Sequence, residues 1–153
     1  MSNMQIEVSA DIDAPPAAVY AIISDYHVGH PAILPKAYFQ DLQVITGGTG
    51  VGTTIRFTMN VMGMKRPGEL SVTDAEPGRL LKEESPDGRI VTFFRFVALD
   101  GGARTRITFD TTMRSSGGLM GVVERLTTPG FLRRVYREEL ALLADYARKP
   151  SFQ

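Results

Sequence analysis

Residues 90–113, IVTFFRFVALDGGARTRITFDTTM, contain two runs rich in aromatic and β-branched residues on either side of a glycine turn. The first run covers residues 90–99, the turn is Asp100-Gly101-Gly102, and the second run covers residues 104–113. Glycines that connect two such runs are a strong signal of a β-hairpin. The sequence therefore predicts a β-hairpin over residues 90–113, and the other elements are considered in relation to it.

The turn also predicts which side chains of the hairpin share a face. A two-residue turn at Gly101-Gly102 pairs Phe94 with Phe109 and Phe96 with Ile107, and it leaves Arg95 facing solvent. A longer loop or a bulge could invert this phase and turn Arg95 inward, because successive side chains of a strand point to opposite faces. We favour the first arrangement, with Arg95 outside.

Upstream of the hairpin, five further segments have the pattern of strands and are separated by turn residues. In one of them Ile55, Phe57 and Met59 share a face, and Arg56 lies on the other. Consecutive strands joined by short turns predict an antiparallel meander rather than a parallel sheet. The five segments are residues 5–13, 41–46, 54–61, 69–75 and 79–84.

Two regions have the apolar spacing of amphipathic helices, one after Pro15-Pro16 and one from residue 117 onward. Residues 27–37, between the first helix and the next strand, are predicted to form a loop or a short second helix. Thr128-Pro129 interrupts the C-terminal region and predicts a kink or a restart there. Beyond it, one stripe faces the sheet, formed by Leu132, Val135, Tyr136, Leu140, Leu143 and Ala147.

These elements predict an α+β fold in which a curved antiparallel sheet of six or seven strands grips one long C-terminal helix. A strongly curved sheet around a single helix leaves space between the two layers. The sequence therefore favours an internal cavity.

The composition excludes several classes of protein. The 153 residues carry 17 Lys+Arg and 17 Asp+Glu, so the formal net charge is zero, which argues against binding nucleic acid through bulk electrostatics. There is no cysteine and there are two histidines, which removes disulfides, zinc–thiolate sites and three-histidine metal sites. We expect no cofactor and no metal.

The length is that of one domain, which we place at residues 1–148, with a polar tail over residues 149–153. No apolar run reaches the roughly 18 residues that a membrane-spanning helix needs, so no integral membrane association is expected. The N-terminus has neither a basic nor an apolar signal region, and a cytoplasmic location is the simplest interpretation. Nothing in the sequence predicts an oligomeric state.

Motifs along nearly the whole chain resemble the START-like, Bet v 1-like superfamily (SRPBCC), in particular the bacterial polyketide cyclase/dehydrase and lipid-transport group. The resemblance implies the helix-grip fold, a seven-stranded antiparallel sheet wrapped around a long C-terminal helix, with a hydrophobic small molecule bound in the cavity. It carries over no universal catalytic motif. The matching motifs are Ile12-Asp13-Ala14-Pro15 through Val19-Tyr20, Ser24-Asp25-Tyr26, Gly47-Gly48-Thr49-Gly50-Val51-Gly52-Thr53, Glu76-Pro77-Gly78-Arg79, Gly101 to Ile107, and the C-terminal helix.

Two motifs invite other interpretations. The glycine run Gly47–Gly52 lacks the spacing of a dinucleotide fingerprint and precedes a strand, so we interpret it as a tight turn or bulge. His27 and His30 lie close to Asp25, but three or four ligands are normally needed for a metal. We expect His30 at the cavity mouth as a polar ligand contact, with the 29–35 loop around it. The alternative is a solvated histidine.

The strand and helix phases predict the residues that line the cavity. The ligand-binding set is Ile55, Phe57, Met59, Phe94, Phe96, Ile107, Phe109, Leu132, Tyr136 and His30. The catalytic residues are unknown from the sequence. The weak candidates are His30, Glu124, Tyr136 and Arg95.

Three hypotheses of function follow. The first is binding or transport of a hydrophobic small molecule, namely a lipid, a polyketide or an aromatic compound. The second is a polyketide aromatase/cyclase or dehydratase, which needs at least two convergent polar groups in the cavity. The third is an interaction module with a filled interior. A cavity that contains a cluster of polar side chains favours the enzyme, one with scattered polar atoms favours the carrier, and a filled interior excludes both.

Overall fold

The computed structural model of the protein describes residues 3–115 and 117–149, and in its last helix the side chains of residues 119–123, 125 and 126 are outside the description. Within these limits the chain forms one seven-stranded antiparallel sheet, in the order β1-β7-β6-β5-β4-β3-β2. The strands are β1 Asn3–Ile12, β2 Phe39–Thr46, β3 Thr54–Val61, β4 Met64–Glu76, β5 Leu80–Glu84, β6 Ile90–Leu99 and β7 Arg104–Arg114. The predicted α+β, helix-grip class is confirmed.

The β6–β7 hairpin has the predicted register, with Phe94 opposite Phe109 and Phe96 opposite Ile107. Its loop is longer than predicted, because Leu99 pairs with Arg104 and residues 100–103 form a 3-10 turn between them. The predicted two-residue loop and the observed four-residue loop both contain an even number of residues. The same side chains of β6 and β7 therefore face inward in either case. Arg95 accordingly lies on the outer face, where its guanidinium forms an ion pair with Asp110.

Three helices complete the fold: α1 Pro16–Ser24, α2 Gly29–Ile33 and α3 Gly118–Ala147. Of the kink or restart predicted at Thr128-Pro129, the restart is wrong, because α3 runs continuously through Pro129. Helical stability in proteins comes mostly from packing of the apolar face, and here that packing outweighs the hydrogen bond that proline cannot make. Of the expected tail, only Lys149 lies within the described residues.

The outer face of the sheet carries most of the paired charges. Arg104 bonds to Asp13 at 2.7 Å and Arg106 bonds to Asp11 at 2.8 Å, which links β7 to β1 and to the residue after it. Exposed pairs of this kind each contribute about 0–1 kcal/mol. These charges lie on the outer face of the sheet, as the alternation of β7 predicted. Among the helices of the described part of the chain, none is long and apolar enough to cross a membrane.

The inner face of the sheet is covered by two different layers. Helix α1 packs on one end, where the ring of Tyr20 contacts that of Phe96 with 5.5 Å between centroids. Helix α3 packs along β1, and the short helix α2 lies between α1 and α3. The α1 end is a closed apolar core, and the remaining space lies toward the opposite end of the sheet.

Gly29 is the point at which α2 approaches α1 most closely. A Cβ atom on Gly29 would lie 2.5 Å from the carbonyl oxygen of Ile22, and a backbone atom cannot move aside as the end of a side chain can. We expect Gly29→Ala to lower the free energy of unfolding by about 1–3 kcal/mol in urea denaturation. The matched control is Gly130→Ala in α3, which has open space around it and is expected to be neutral or slightly stabilising. Equal urea midpoints for the Gly29 variant and the wild type would contradict this account of the α1–α2 contact.

Candidate functional site

A cavity of about 280 Å³ lies between the inner face of the sheet and helices α2 and α3. Of the residues that line it, only Arg66 and Pro67 are fully exposed, which places the mouth at the start of β4, beside the β3–β4 hairpin. The walls are mainly aliphatic and aromatic. The apolar lining residues are Leu34, Phe39, Ile55, Phe57, Met59, Val61, Leu70, Ile90, Phe94, Met113, Leu132 and parts of Pro67 and Gly68.

Glu83 anchors a polar cluster inside the cavity. It shares the inner face of β5 with Leu81, and it accepts a hydrogen bond from the hydroxyl of the buried Tyr26. The Nε2 atom of His30 lies 3.9 Å from the Glu83 carboxylate, and the imidazole stacks on the Tyr26 ring. The Nδ1 atom of His30 is 2.7 Å from the carbonyl oxygen of Ile23, which can only accept, so Nδ1 carries a proton and Nε2 is the nitrogen that faces Glu83. The Glu83 carboxylate therefore has the Tyr26 hydroxyl and the Nε2 side of His30 as its polar neighbours.

A second polar group connects the sheet to α3. The hydroxyls of Thr92 on β6 and Thr111 on β7 are 2.7 Å apart, and Thr111 also shares a hydrogen bond with the Tyr136 hydroxyl. Burial raises the pKa of Tyr136 well above its usual range, and the hydrogen bond from Thr111 offsets only part of that effect. The three hydroxyls therefore stay protonated and form a continuous chain along one wall of the cavity.

Glu139, on α3 one turn after Tyr136, also lines the cavity, and its relative exposure is 3%. Neither a hydrogen bond nor an ion pair joins it to any residue that the structure describes. Burial raises the pKa of Glu139 well above its ordinary value, and the nearby charge of Glu83 adds to the increase. The un-ionised acid therefore persists to a higher pH here than on the protein surface.

The structure brings seven of the ten predicted ligand-binding residues to the cavity wall and places the other three elsewhere. Phe96 and Ile107 are buried at the α1 end of the sheet, and Phe109 is enclosed between the rings of Phe94 and Tyr136. These three residues lie on the inner face of the sheet, as the strand alternation predicted, but other side chains cover them and separate them from the cavity. The seven that line the cavity are His30, Ile55, Phe57, Met59, Phe94, Leu132 and Tyr136.

The weak catalytic candidates have different locations. His30 is buried in α2, with an exposure of 3%, so its expected place at the mouth is wrong; α2 packs inward against α1 and α3. Arg95 is on the outer face and does not reach the cavity. Glu124 is half-buried, has an interaction partner, and is outside the set of described residues that line the cavity. Tyr136 lines the cavity and bonds to Thr111.

Sequence reasoning missed Glu83, Glu139, Thr92 and Thr111, although a signal for each was present. Glu83 alternates with Leu81, and Thr92 and Thr111 alternate with Phe94 and Phe109. Glu139 follows Tyr136 by three positions, which is the spacing of the inner helical stripe. Charged residues are rarely buried, and this general rule argued against placing the two glutamates inside the protein. Because they are buried polar groups in a cavity, these residues are candidates for function. No three His, Asp or Glu side chains in the described part of the chain form a metal-binding group.

A family model described as polyketide cyclase / dehydrase and lipid transport matches residues 3–148. The chain belongs to this family. The match spans all seven strands and the three helices, which confirms the family resemblance found from the motifs. No curated protein sequence matches the chain significantly.

Three solved structures illustrate the similarity of the fold. The KanY protein, solved by NMR, has a TM-score of 0.82 and 27% identity, covering 97% of this chain and 100% of its own. The Zhui aromatase/cyclase from Streptomyces sp. R1128 has a TM-score of 0.78 and 18% identity, covering 98% of each chain. A START superfamily protein from Mycobacterium smegmatis has a TM-score of 0.71 and 11% identity, covering 93% of this chain and 95% of its own. The last two likenesses concern the fold alone.

Proposed function

We propose that the protein binds a hydrophobic small molecule in the cavity between the sheet and α3, with the polar end of the ligand against Glu83, Glu139 and Tyr136. The observation that carries this proposal is a cavity of about 280 Å³ with apolar walls and a compact polar cluster. Ligand pockets of this kind are mostly apolar, with a few polar groups that orient the ligand. The volume is small for a pocket, which favours a polyketide or aromatic compound of two or three rings over a long-chain lipid.

The mouth supports the same proposal. It opens beside Arg66 and Pro67, and the lining residues nearest to it on β3 are Met59 and Val61. Methionine adapts its shape to irregular apolar surfaces more readily than branched side chains do. A ligand can therefore enter along apolar side chains and reach the polar cluster with its polar end first.

A blocked cavity tests this proposal. We expect Leu70→Trp, which puts an indole into the cavity from β4, to weaken binding of an aromatic ligand at least about tenfold, because the ring occupies the ligand's space. The matched control is Val97→Trp, which adds the same ring on the exposed face of β6. Native mass spectrometry of gently purified protein and fluorescence titration with aromatic compounds provide the measurements. Unchanged affinity in the Leu70 variant would refute a ligand site in this cavity.

Acid–base catalysis of cyclisation or dehydration is the second candidate function. It is favoured by two carboxyl groups in one cavity with unlike surroundings, since Glu83 accepts from Tyr26 whereas Glu139 has no partner among the described residues. Acid–base catalysis needs positioned groups that can take and give protons, and carboxyl side chains are among those that enzymes use. The fold it shares with an aromatase/cyclase is consistent with this chemistry.

In such a reaction Glu83, supported by His30, would take a proton from a carbon next to a carbonyl, and the carbanion would attack a second carbonyl carbon. Glu139 would give its proton to the oxygen of that second carbonyl, which becomes a hydroxyl. The ionised Glu139 would then take the second proton from the same carbon, and the protonated Glu83 would give its proton to the new hydroxyl, which leaves as water and returns both carboxyl groups to their starting states. Mass spectrometry of the recovered ligand separates the two candidates, since a carrier returns it unchanged and a dehydrating cyclase returns it with the loss of one water.

A further inference from the structure

Glu139 differs from the other buried polar groups of the cavity in having nothing to bond to. Glu83 has the Tyr26 hydroxyl, and Thr92, Thr111 and Tyr136 bond to one another. Glu139 is equally buried and lines the same cavity, but no described residue donates to it or accepts from it. No fully buried side-chain nitrogen or oxygen of the described residues lacks a hydrogen-bond partner, so the carboxyl oxygens of Glu139 reach the cavity space, where a bound molecule can satisfy them.

The groups that surround Glu139 do not supply a counter-charge. The charged and titratable residues near it in the described part of the chain are Glu83 on β5, Tyr26 after α1 and Tyr136 on α3, none of which is a cation. His30 on α2 is 3.9 Å from Glu83, with which it can form an ion pair. Arg66 lies at the exposed mouth on β4. An ionised Glu139 would therefore be a buried, unpaired charge beside a second carboxylate.

Three classes of polar ligand end would respond differently to this environment. A carboxylate would be repelled by Glu83, and His30, the buried basic side chain of the cavity, already faces that residue. An ammonium group would be attracted to Glu83, but that carboxylate already has Tyr26 and His30 as partners, and a cation would have to be desolvated in an apolar cavity to reach it. A neutral carbonyl oxygen requires neither, because it accepts a hydrogen bond from the acid as it stands. The third class fits the cavity without a change of charge.

We infer that Glu139 recognises the ligand by donating its O–H to a neutral acceptor oxygen, so that the cavity selects ketones and related carbonyl compounds over carboxylates and amines of the same skeleton. This inference rests on the proposed function and adds the chemical class of the ligand. Fatty acids and other anionic amphiphiles are excluded from the inner end of the cavity. Arg66 also lines the cavity but is exposed, so a ligand carboxylate that it binds would lie at the solvent-accessible mouth.

Three probes with one ring system test the selectivity: 2-acetylnaphthalene, 2-naphthoic acid and 1-(2-naphthyl)ethylamine, titrated into the intact protein by calorimetry. At neutral pH we expect the ketone to bind about tenfold or more tighter than the acid and the amine. Tighter binding of the amine or the acid, or equal affinities, would overturn the inference and leave the proposed function intact. If none of the three bound, the proposed function itself would fail.

Variants of Glu139 test the mechanism. Glu139→Gln keeps an N–H donor and is expected to hold the ketone within a few-fold of wild type, whereas Glu139→Leu is expected to lose about five- to tenfold. The wild-type affinity for the ketone should also fall as the pH rises through the raised pKa of Glu139 and the acid loses its proton, while that of Glu139→Gln should stay level. Glu138→Gln, the exposed neighbour, is the control and should behave as wild type. Equal ketone affinities for the wild type, Gln and Leu variants would show that Glu139 does not bind the ligand.

Discussion

Replacing Glu83 by leucine is expected to lower the free energy of unfolding by about 2–4 kcal/mol, whereas the same replacement at Glu139 is expected to raise it by about 1 kcal/mol. Both residues are glutamates, both are more than nine-tenths buried, and both line the same cavity. The opposite signs come from their partners. Removal of Glu83 leaves the hydroxyl of the fully buried Tyr26 without an acceptor and His30 without its carboxylate.

Removal of Glu139 leaves no described group without a partner, and leucine is an apolar side chain of similar volume. The protein then no longer bears the cost of keeping a carboxyl group away from water. Urea denaturation of the two variants measures both effects, with Glu138→Leu as the control on the exposed face of the same helix. Similar losses of stability in both buried variants would show that Glu139 has a stabilising partner, contrary to the structure.

The second large effect is a fall in stability as the pH rises above the ordinary range of a glutamate. The pKa of Glu139 is raised well above 4.5 in the folded protein, so the folded state keeps a proton that the unfolded chain releases. The stabilisation is complete below about pH 4.5 and is lost as the pH rises toward the folded-state pKa. The loss can reach about 1.4 kcal/mol per pH unit across that window.

Glu139→Gln cannot ionise, so the difference between its stability profile and that of the wild type isolates this contribution. We expect the two profiles to converge near about pH 4.5, and the Gln variant to be more stable by a growing margin above it. The pKa values of Asp11 and Asp87 are lowered in the folded protein, so their contribution to stability is lost as the pH falls, at pH values below about 4.5. These two residues therefore do not cause a loss of stability as the pH rises. Urea midpoints collected across the pH range measure it, and parallel profiles would rule out a perturbed Glu139.

The order of the elements, the antiparallel sheet and the inner face of each strand could be predicted from the sequence. Alternation in β3 and β6 placed Ile55, Phe57 and Phe94 inside and Arg95 outside, and the structure agrees. These properties depend on turn chemistry and on the two-residue period of a strand, both of which are local. The continuity of α3 through Pro129 could not be predicted, since a local preference was overruled by packing on the sheet.

The candidate site also has some features that local sequence patterns predict and others that depend on tertiary contacts. Seven of the predicted lining residues reach the cavity because their strand or helix phase is correct, but Phe96 and Ile107 do not, because α1 covers that end of the sheet. His30 was expected at the mouth on the basis of its breaker-rich surroundings. It lies inside because α2 packs against both α1 and α3. Which helix covers which part of a sheet is decided by contacts between distant segments.

Spacing and composition are enough to predict a neutral chain, an antiparallel meander with defined faces, and a long helix whose apolar stripe meets the sheet. The position of the cavity and the polar groups that face it depend instead on contacts between segments that are distant along the chain. Glu83 and Glu139 are 56 positions apart along the chain, and only folding places both on the wall of one cavity. Their different hydrogen bonding inside an apolar enclosure, rather than their residue type, separates a satisfied carboxylate from an acid that is free to bind a ligand.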